Sequence, residues 1–148
     1  MMRVEFAEEF GVPVEDAYEY FRSPLHWPRL FRAFGEPEDR GGGWYAVPLR
    51  GFPFPLVTRI TRDEPLRCVE WVFEGFWRGE AQVLFEPTPD GVLVRGYEQI
   101  SPVRLLWLAP FAERLFLEAR FRNIWLSGWR RLRRQAATRG AFSASQGQ

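Results

Sequence analysis

Residues 110–139 read PFAERLFLEARFRNIWLSGWRRLRRQAATR, and Pro110 is the last proline of the chain. At about 100° per residue, Phe111, Leu115, Leu117, Phe121, Ile124, Trp125, Gly128, Trp129 and Leu132 fall in one broad arc. Glu113, Arg120, Ser127, Arg131 and Arg134 fall opposite. The spacing predicts a long amphipathic helix from Pro110 to about Arg139. Residues 140–148 are small and polar, as expected of a frayed, disordered tail.

Upstream of this helix, from about Phe34 to Ile100, the text changes to strands and turns. Gly41-Gly42-Gly43 precedes Trp44–Leu49, and Gly51-Phe52-Pro53 precedes Phe54–Thr61. Asp63-Glu64-Pro65 precedes Arg67–Glu74, Gly75–Gly79 precedes Glu80–Glu86, and Pro89-Asp90-Gly91 precedes Val92–Ile100. Turns at that spacing predict consecutive hairpins and an antiparallel meander. Val69, Trp71 and Phe73 share one face, with Glu70 and Glu74 opposite. Ala81, Val83 and Phe85 share another, with Glu80, Gln82 and Glu86 opposite. Such alternation belongs to a sheet with one wet face.

At the N-terminus, Val4, Phe6 and Phe10 alternate with Glu5 and Glu9, as in a half-buried strand. Pro13 follows, then Val14, Ala17, Tyr18 and Phe21 at helical spacing. Glu15 and Asp16 occupy the first turn, where carboxylates suit the helix dipole. Ser23-Pro24 offers a cap and first residue for a second short helix, which Pro28 and Gly35 limit.

The chain has 148 residues, a length that favours one domain. We assign residues 1–139 to it and 140–148 to the tail. Aromatic residues make up 17% of the chain, with 14 Phe and 7 Trp, enough either for an unusually ring-rich core or for the lining of a small-molecule site. A net charge of +1 argues against whole-molecule attraction to nucleic acid or an anionic membrane. All basic residues are arginine, so no Schiff-base lysine exists. Cys68 is the sole cysteine and His26 the sole histidine, which excludes an intramolecular disulfide, a thiol-rich metal site and a histidine cluster. No metal or cofactor is implied. The N-terminus carries no signal-peptide pattern and no apolar run is long enough to span a bilayer, so a cytoplasmic protein is expected.

The order strand, two short helices, about six strands and long helix resembles the START-like superfamily, also called the Bet v 1-like or polyketide cyclase/dehydrase (SRPBCC) group. The local likeness covers Phe10-Gly11-Val12-Pro13-Val14-Glu15-Asp16-Ala17-Tyr18-Glu19-Tyr20-Phe21, then Ser23-Pro24 and Trp27-Pro28. It returns at Gly79-Glu80-Ala81-Gln82-Val83-Leu84-Phe85-Glu86-Pro87 with Asp90-Gly91-Val92. The chain departs from the group in lacking its frequent Trp near Ala81 or Gln82 and its frequent Thr at Val92. The resemblance implies an α+β helix-grip fold: a curved seven-stranded antiparallel sheet around the C-terminal helix, with a cavity between them. It implies no particular activity, because members bind lipids, hormones, quinones or aromatic polyketides and only some catalyse.

Candidate site residues follow from those placements. Arg114, Glu118 and Arg122 stand at successive i, i+4 positions within the helix's apolar arc. They are either a salt-bridge row snorkelling at its rim or polar groups that orient a ligand in the cavity. Glu98 shares the inner face if Val92, Val94 and Gly96 point inward, and it is then a buried acid with a raised pKa. If Leu93, Arg95 and Tyr97 point inward, it is a surface residue. Trp44, Trp71, Phe73, Trp77 and Phe85 are candidates for an aromatic pocket wall or for plain core. His26 reads as a helix-surface histidine beside Trp27. The apolar loops with Phe52 and Phe54, and with Leu106 and Trp107, could form a gate, a dimer contact or a transient membrane contact, or fold back on the core. Arg130, Arg131, Arg133 and Arg134 could meet an anion or simply balance a helix C-terminus. The leading expectation is a binder of a hydrophobic small molecule such as a lipid, quinone or polycyclic aromatic. A cyclase or aromatase using Glu98, and a protein or membrane interaction module, are the alternatives.

Overall fold

Every described strand belongs to one sheet, in which the first strand lies beside the last. The computed structural model describes residues 2–102 and 110–146, with side chains of the last helix described from 117 to 138. Strand β1 (Met2–Phe10) leads into helix α1 (Val14–Phe21). A 3-10 turn (Pro24–His26) and the single-turn helix α2 (Trp27–Leu30) follow. Ser23 caps that turn, its Oγ accepting from the Leu25 N–H at 3.3 Å. Strands β2 (Glu38–Gly41), β3 (Trp44–Val47), β4 (Leu56–Glu64), β5 (Cys68–Glu74), β6 (Trp77–Thr88) and β7 (Gly91–Pro102) come next, and helix α3 (Pro110–Gln146) closes the chain.

The seven strands form one antiparallel sheet in the order β1-β7-β6-β5-β4-β3-β2. Pairing β1 with β7 sets α1 and α2 between the first strand and the rest of the meander. Tyr18 ties α1 to the far side of the sheet by donating its hydroxyl to Asp63 Oδ1 on β4 at 2.5 Å. Opposed residues in an antiparallel pair share a face. Val4 faces Glu98, Glu98 faces Ala81, Ala81 faces Trp71 and Trp71 faces Ile60, so one row crosses the inner face from β1 to β4. Val69, Trp71, Phe73, Val83, Phe85, Val92 and Val94 are all buried on that face, as their alternation requires. This parity selects the register in which Glu98 points inward.

Helix α3 lies against the inner face with Leu117, Phe121, Ile124, Trp125, Trp129 and Leu132 buried. It continues to Gln146 rather than ending near Arg139. Gly140 costs about 1 kcal/mol of helix propensity relative to alanine, and Ala136, Ala137 and Ala141 beside it are the best helix formers. Strand β6 also begins earlier than the turn-rich text suggests, because Trp77 is drawn fully into the core.

Gly128 is where the helix meets the segment after α2. A Cβ at this position would stand 2.5 Å from the Phe31 ring. Phe31 has little freedom to yield, being buried among Phe21, Phe34 and Trp125 at ring separations of 6.1, 5.4 and 5.3 Å. Gly128→Ala should therefore lose about 1–3 kcal/mol by overpacking, although the same change on an open helix gains about 1 kcal/mol. Urea unfolding checks this: a lower midpoint is expected, and a raised midpoint would contradict the packing.

Candidate functional site

The concavity between sheet and α3 is occupied mainly by aromatic rings. Phe21 comes from α1, while Trp27, Phe31 and Phe34 come from α2 and the chain after it. Trp71 and Phe73 rise from β5, and Phe121 and Trp125 descend from α3. The planes of Phe21, Trp71 and Trp125 are nearly parallel, at 14° to 21°, with mutual centroid distances of 6.2 to 6.5 Å. They leave a cavity of about 20 Å³ whose wall also includes Leu56, Ile124 and Glu98. That is room for about one water molecule.

Polar groups gather at this small space. Glu98 is 6% exposed. Among the described residues its one hydrogen bond comes from Trp125, whose Nε1–H donates to Oε1 at 3.3 Å. Burial pushes the Glu98 carboxyl from its ordinary 4.5 up to about 7, and the Trp125 hydrogen bond pulls the other way. No arginine among the described residues pairs with it. Trp27 and Trp71 are 2% and 3% exposed, and both wall the cavity. Neither indole N–H has a partner among the described residues. The Thr58 hydroxyl, fully buried opposite Phe73, also lacks one. A buried, unpaired donor costs about 1–3 kcal/mol, so this centre carries several groups that a purely structural core gains nothing by holding.

The residues singled out in the sequence divide into three groups. Trp71, Phe73 and Glu98 line the cavity. Trp77 and Phe85 are buried on the inner face but outside that lining. Trp77 packs edge-on against Phe52, Phe76 and Phe121, and Phe85 packs on Tyr18 and Phe21. Trp44 is opposed to Arg59, an exposed position, so register sets it on the outer face, with the Arg59 guanidinium 4.9 Å from its ring. On α3, Arg122 donates to Glu118 at 3.3 Å at the helix surface, and neither residue lines the cavity. The Arg114 side chain, Leu106 and Trp107 lie outside the described residues. Phe52 is half-buried on Trp77, while Phe54 is 44% exposed and stacked on Phe76. His26 sits on the Glu19 carbonyl, its Nδ1 at 2.7 Å, away from the cavity.

Trp27 and Trp125 are site residues that sequence spacing does not single out. Trp125 follows only from combining the parity of β7 with the phase of α3. In the sequence Trp27 is half of a Trp-Pro pair, and nothing there turns its ring toward the sheet.

Solved structures share this architecture. XoxI from Bacillus cereus superposes with a TM-score of 0.70 at 12% identity, covering 93% of this chain and 96% of its own. A conserved protein from Geobacillus kaustophilus gives 0.69 at 11% identity over 93% and 96%. The di-domain ARO/CYC StfQ from the steffimycin biosynthetic pathway gives 0.67 at 16% identity over 95% of this chain and 52% of that one. The fold is the START-like helix grip. No protein-family model matches the sequence, and no curated protein matches it. Among the described residues, no helix is long and apolar enough to cross a membrane.

The buried acid gives the fold a pH signature. A carboxyl that titrates near 7 when folded and near 4.5 when unfolded holds its proton more tightly in the native chain. Stability should therefore fall as pH rises between those values, by about 3 kcal/mol in all, and level off above them. Glu98→Gln keeps an acceptor for Trp125 and cannot ionise, so it should remove that fall. Urea unfolding at about pH 5 and about pH 8 tests the assignment. Parallel profiles for the two proteins would refute it.

Proposed function

We propose that the protein binds a flat, mostly apolar small molecule bearing carbonyl or hydroxyl oxygens between the sheet and α3. The observation that carries this reading is that Trp27, Trp71 and Glu98 all line one cavity walled by rings, with both indole N–H groups unpartnered among the described residues. Two unpaired donors want acceptor oxygens. A carboxyl near neutrality can donate to one oxygen or accept from another. The near-parallel planes of Phe21, Trp71 and Trp125 define the orientation a flat ring would take.

The cavity as it stands is too small for such a guest, since sites for drug-sized ligands span about 300–1,000 Å³. Entry therefore requires one or more rings to swing out. Phe34 is the natural candidate, because it is the least buried ring of the wall and comes from the irregular chain between α2 and β2 rather than from the sheet. A quinone or other oxygen-bearing polycyclic aromatic matches this chemistry better than a lipid chain, which supplies no acceptor at mid-depth.

Calorimetric titration with 1,4-naphthoquinone and with naphthalene separates burial from recognition. Both fill the same volume, but only the quinone offers oxygens to the indoles. Saturable binding of the quinone, at least about fivefold tighter than naphthalene, is expected from one satisfied N–H worth about 1 kcal/mol. Equal affinities would remove the polar part of the reading. No saturable uptake of either would remove the reading altogether.

The near-neutral Glu98 favours a second use of the same site. A carboxyl titrating near the working pH can protonate a carbonyl oxygen or take a proton from an adjacent carbon, as a cyclase acting on a poly-keto chain requires. The likeness to a di-domain ARO/CYC supports it at the level of fold. In that case Glu98→Gln would abolish turnover of a poly-keto substrate and leave its binding intact. A loss of binding alone would favour the simple binder.

A further inference from the structure

The charge of the chain is unevenly distributed. Its overall charge is +1, yet the last acidic residue is Glu118, and seven arginines follow it. Five of the seven lie at or beyond Arg130, and four of them, Arg130, Arg131, Arg133 and Arg134, are on consecutive turns of α3.

Compensation of a helix dipole does not explain this cluster. That effect fades within the last turn, whereas α3 runs on to Gln146 and its last turn holds no basic residue. The spacing is also self-repelling: Arg130 with Arg133 and Arg134, and Arg131 with Arg134, are i, i+3 or i, i+4 like-charge pairs. Only Arg133 has a carboxylate, Glu8 on β1, and its guanidinium also covers the Phe10 ring. Arg130 donates from Nε to the Leu126 carbonyl. The guanidiniums of Arg32, Arg131 and Arg134 have no hydrogen-bond or ion-pair partner among the described residues.

These unpaired guanidiniums converge. Arg32 belongs to the turn after α2, and its neighbour Phe31 is pinned in the core against Gly128. That anchor carries Arg32 to the flank of α3, where it, Ser127, Arg130, Arg131, Arg133 and Arg134 line a common groove of about 530 Å³. Two separate chain segments thus supply donors to one concave space of small-ligand size.

We propose that this groove binds the phosphate groups of a soluble phosphorylated small molecule, with Arg32, Arg131 and Arg134 as its oxyanion ligands. Planar guanidiniums match phosphate oxygens two at a time. Three unneutralised cations exceed what a single carboxylate balances and suit a phosphomonoester or a diphosphate. A long nucleic acid is disfavoured, because residues 1–118 hold all 19 acidic side chains and would repel a polyanion extending past the groove. A lipid surface is flat, and this site is concave. The groove lies outside the aromatic cavity and stands or falls independently of the ligand proposed there.

Isothermal titration with inorganic pyrophosphate at low ionic strength tests the assignment. Saturable binding of one pyrophosphate per chain is expected, weakening as salt is added. Arg32→Gln, Arg131→Gln and Arg134→Gln should each weaken it by about tenfold, the usual worth of one charge-assisted hydrogen bond. Arg95→Gln, on the outer face of the sheet, should leave it unchanged. Absence of saturable binding, or equal weakening by Arg95→Gln, overturns the proposal. A parallel sedimentation assay uses phosphatidylcholine vesicles with and without phosphatidic acid. Retention on the acidic vesicles that the Arg131→Gln and Arg134→Gln variants lose, without pyrophosphate binding, also overturns it in favour of a membrane surface.

Discussion

The contact between Trp125 on α3 and Glu98 on β7 is the interaction around which the rest of the structure is arranged. A carboxyl on the inner face of a sheet must be neutral, paired or hydrated, and here burial pushes its pKa up to about 7 beside one indole donor. Satisfying that acid fixes the rotation of α3, because Trp125 must point to the middle of β7. With the rotation set, Trp129 falls on Phe6 and Phe10, Phe121 on Trp77, and Gly128 on Phe31. The grip of the helix is thus a polar contact enclosed in rings, and the rings exclude the water that would otherwise ionise the acid.

The same enclosure explains why the concavity is nearly full. A curved sheet of seven strands leaves more space than one helix can occupy, and the segment from Trp27 to Phe34 inserts four large side chains into the difference. Those residues come from a one-turn helix and irregular chain, held less firmly than strand or long helix. A guest would compete with them for the same planes beside Trp71 and Trp125. Uptake is then an exchange of one aromatic contact for another, and the unpaired indole donors supply the margin in favour of a guest with oxygens. The segment also carries Arg32 outward, so displacement of Phe31 would move one wall of the arginine groove.

Much of the architecture was legible in the text. The alternation through Val69–Phe73 and Ala81–Phe85 set the inner face, and the arc from Phe121 to Leu132 set the face of α3. The parity of Val92, Val94 and Glu98 reduced the candidate acid to two registers, and burial decided between them. What stayed hidden depended on cross-strand register and on loop paths. Trp44 looks like its inward-facing counterparts until its pairing with Arg59 turns it out. The Glu118–Arg122 pair sits close enough to the apolar arc for helical phase alone to leave its head groups undecided, and only the position of α3 over the sheet sets them at the surface. Trp27, Phe31 and Phe34 belong to a stretch without periodicity, so no pattern announced that they would fill the site.

The central claim is that burial between helix and sheet pushes the pKa of one acid up to about 7, against a single indole donor. Carbon-13 NMR of the side-chain carboxyls through a pH titration reads this directly. The account predicts one glutamate with a midpoint near 7, absent in Glu98→Gln, and moved still higher in Trp125→Phe, where the donor that favours ionisation is gone. A Glu98 midpoint at the ordinary carboxylate value near 4.5 would contradict it.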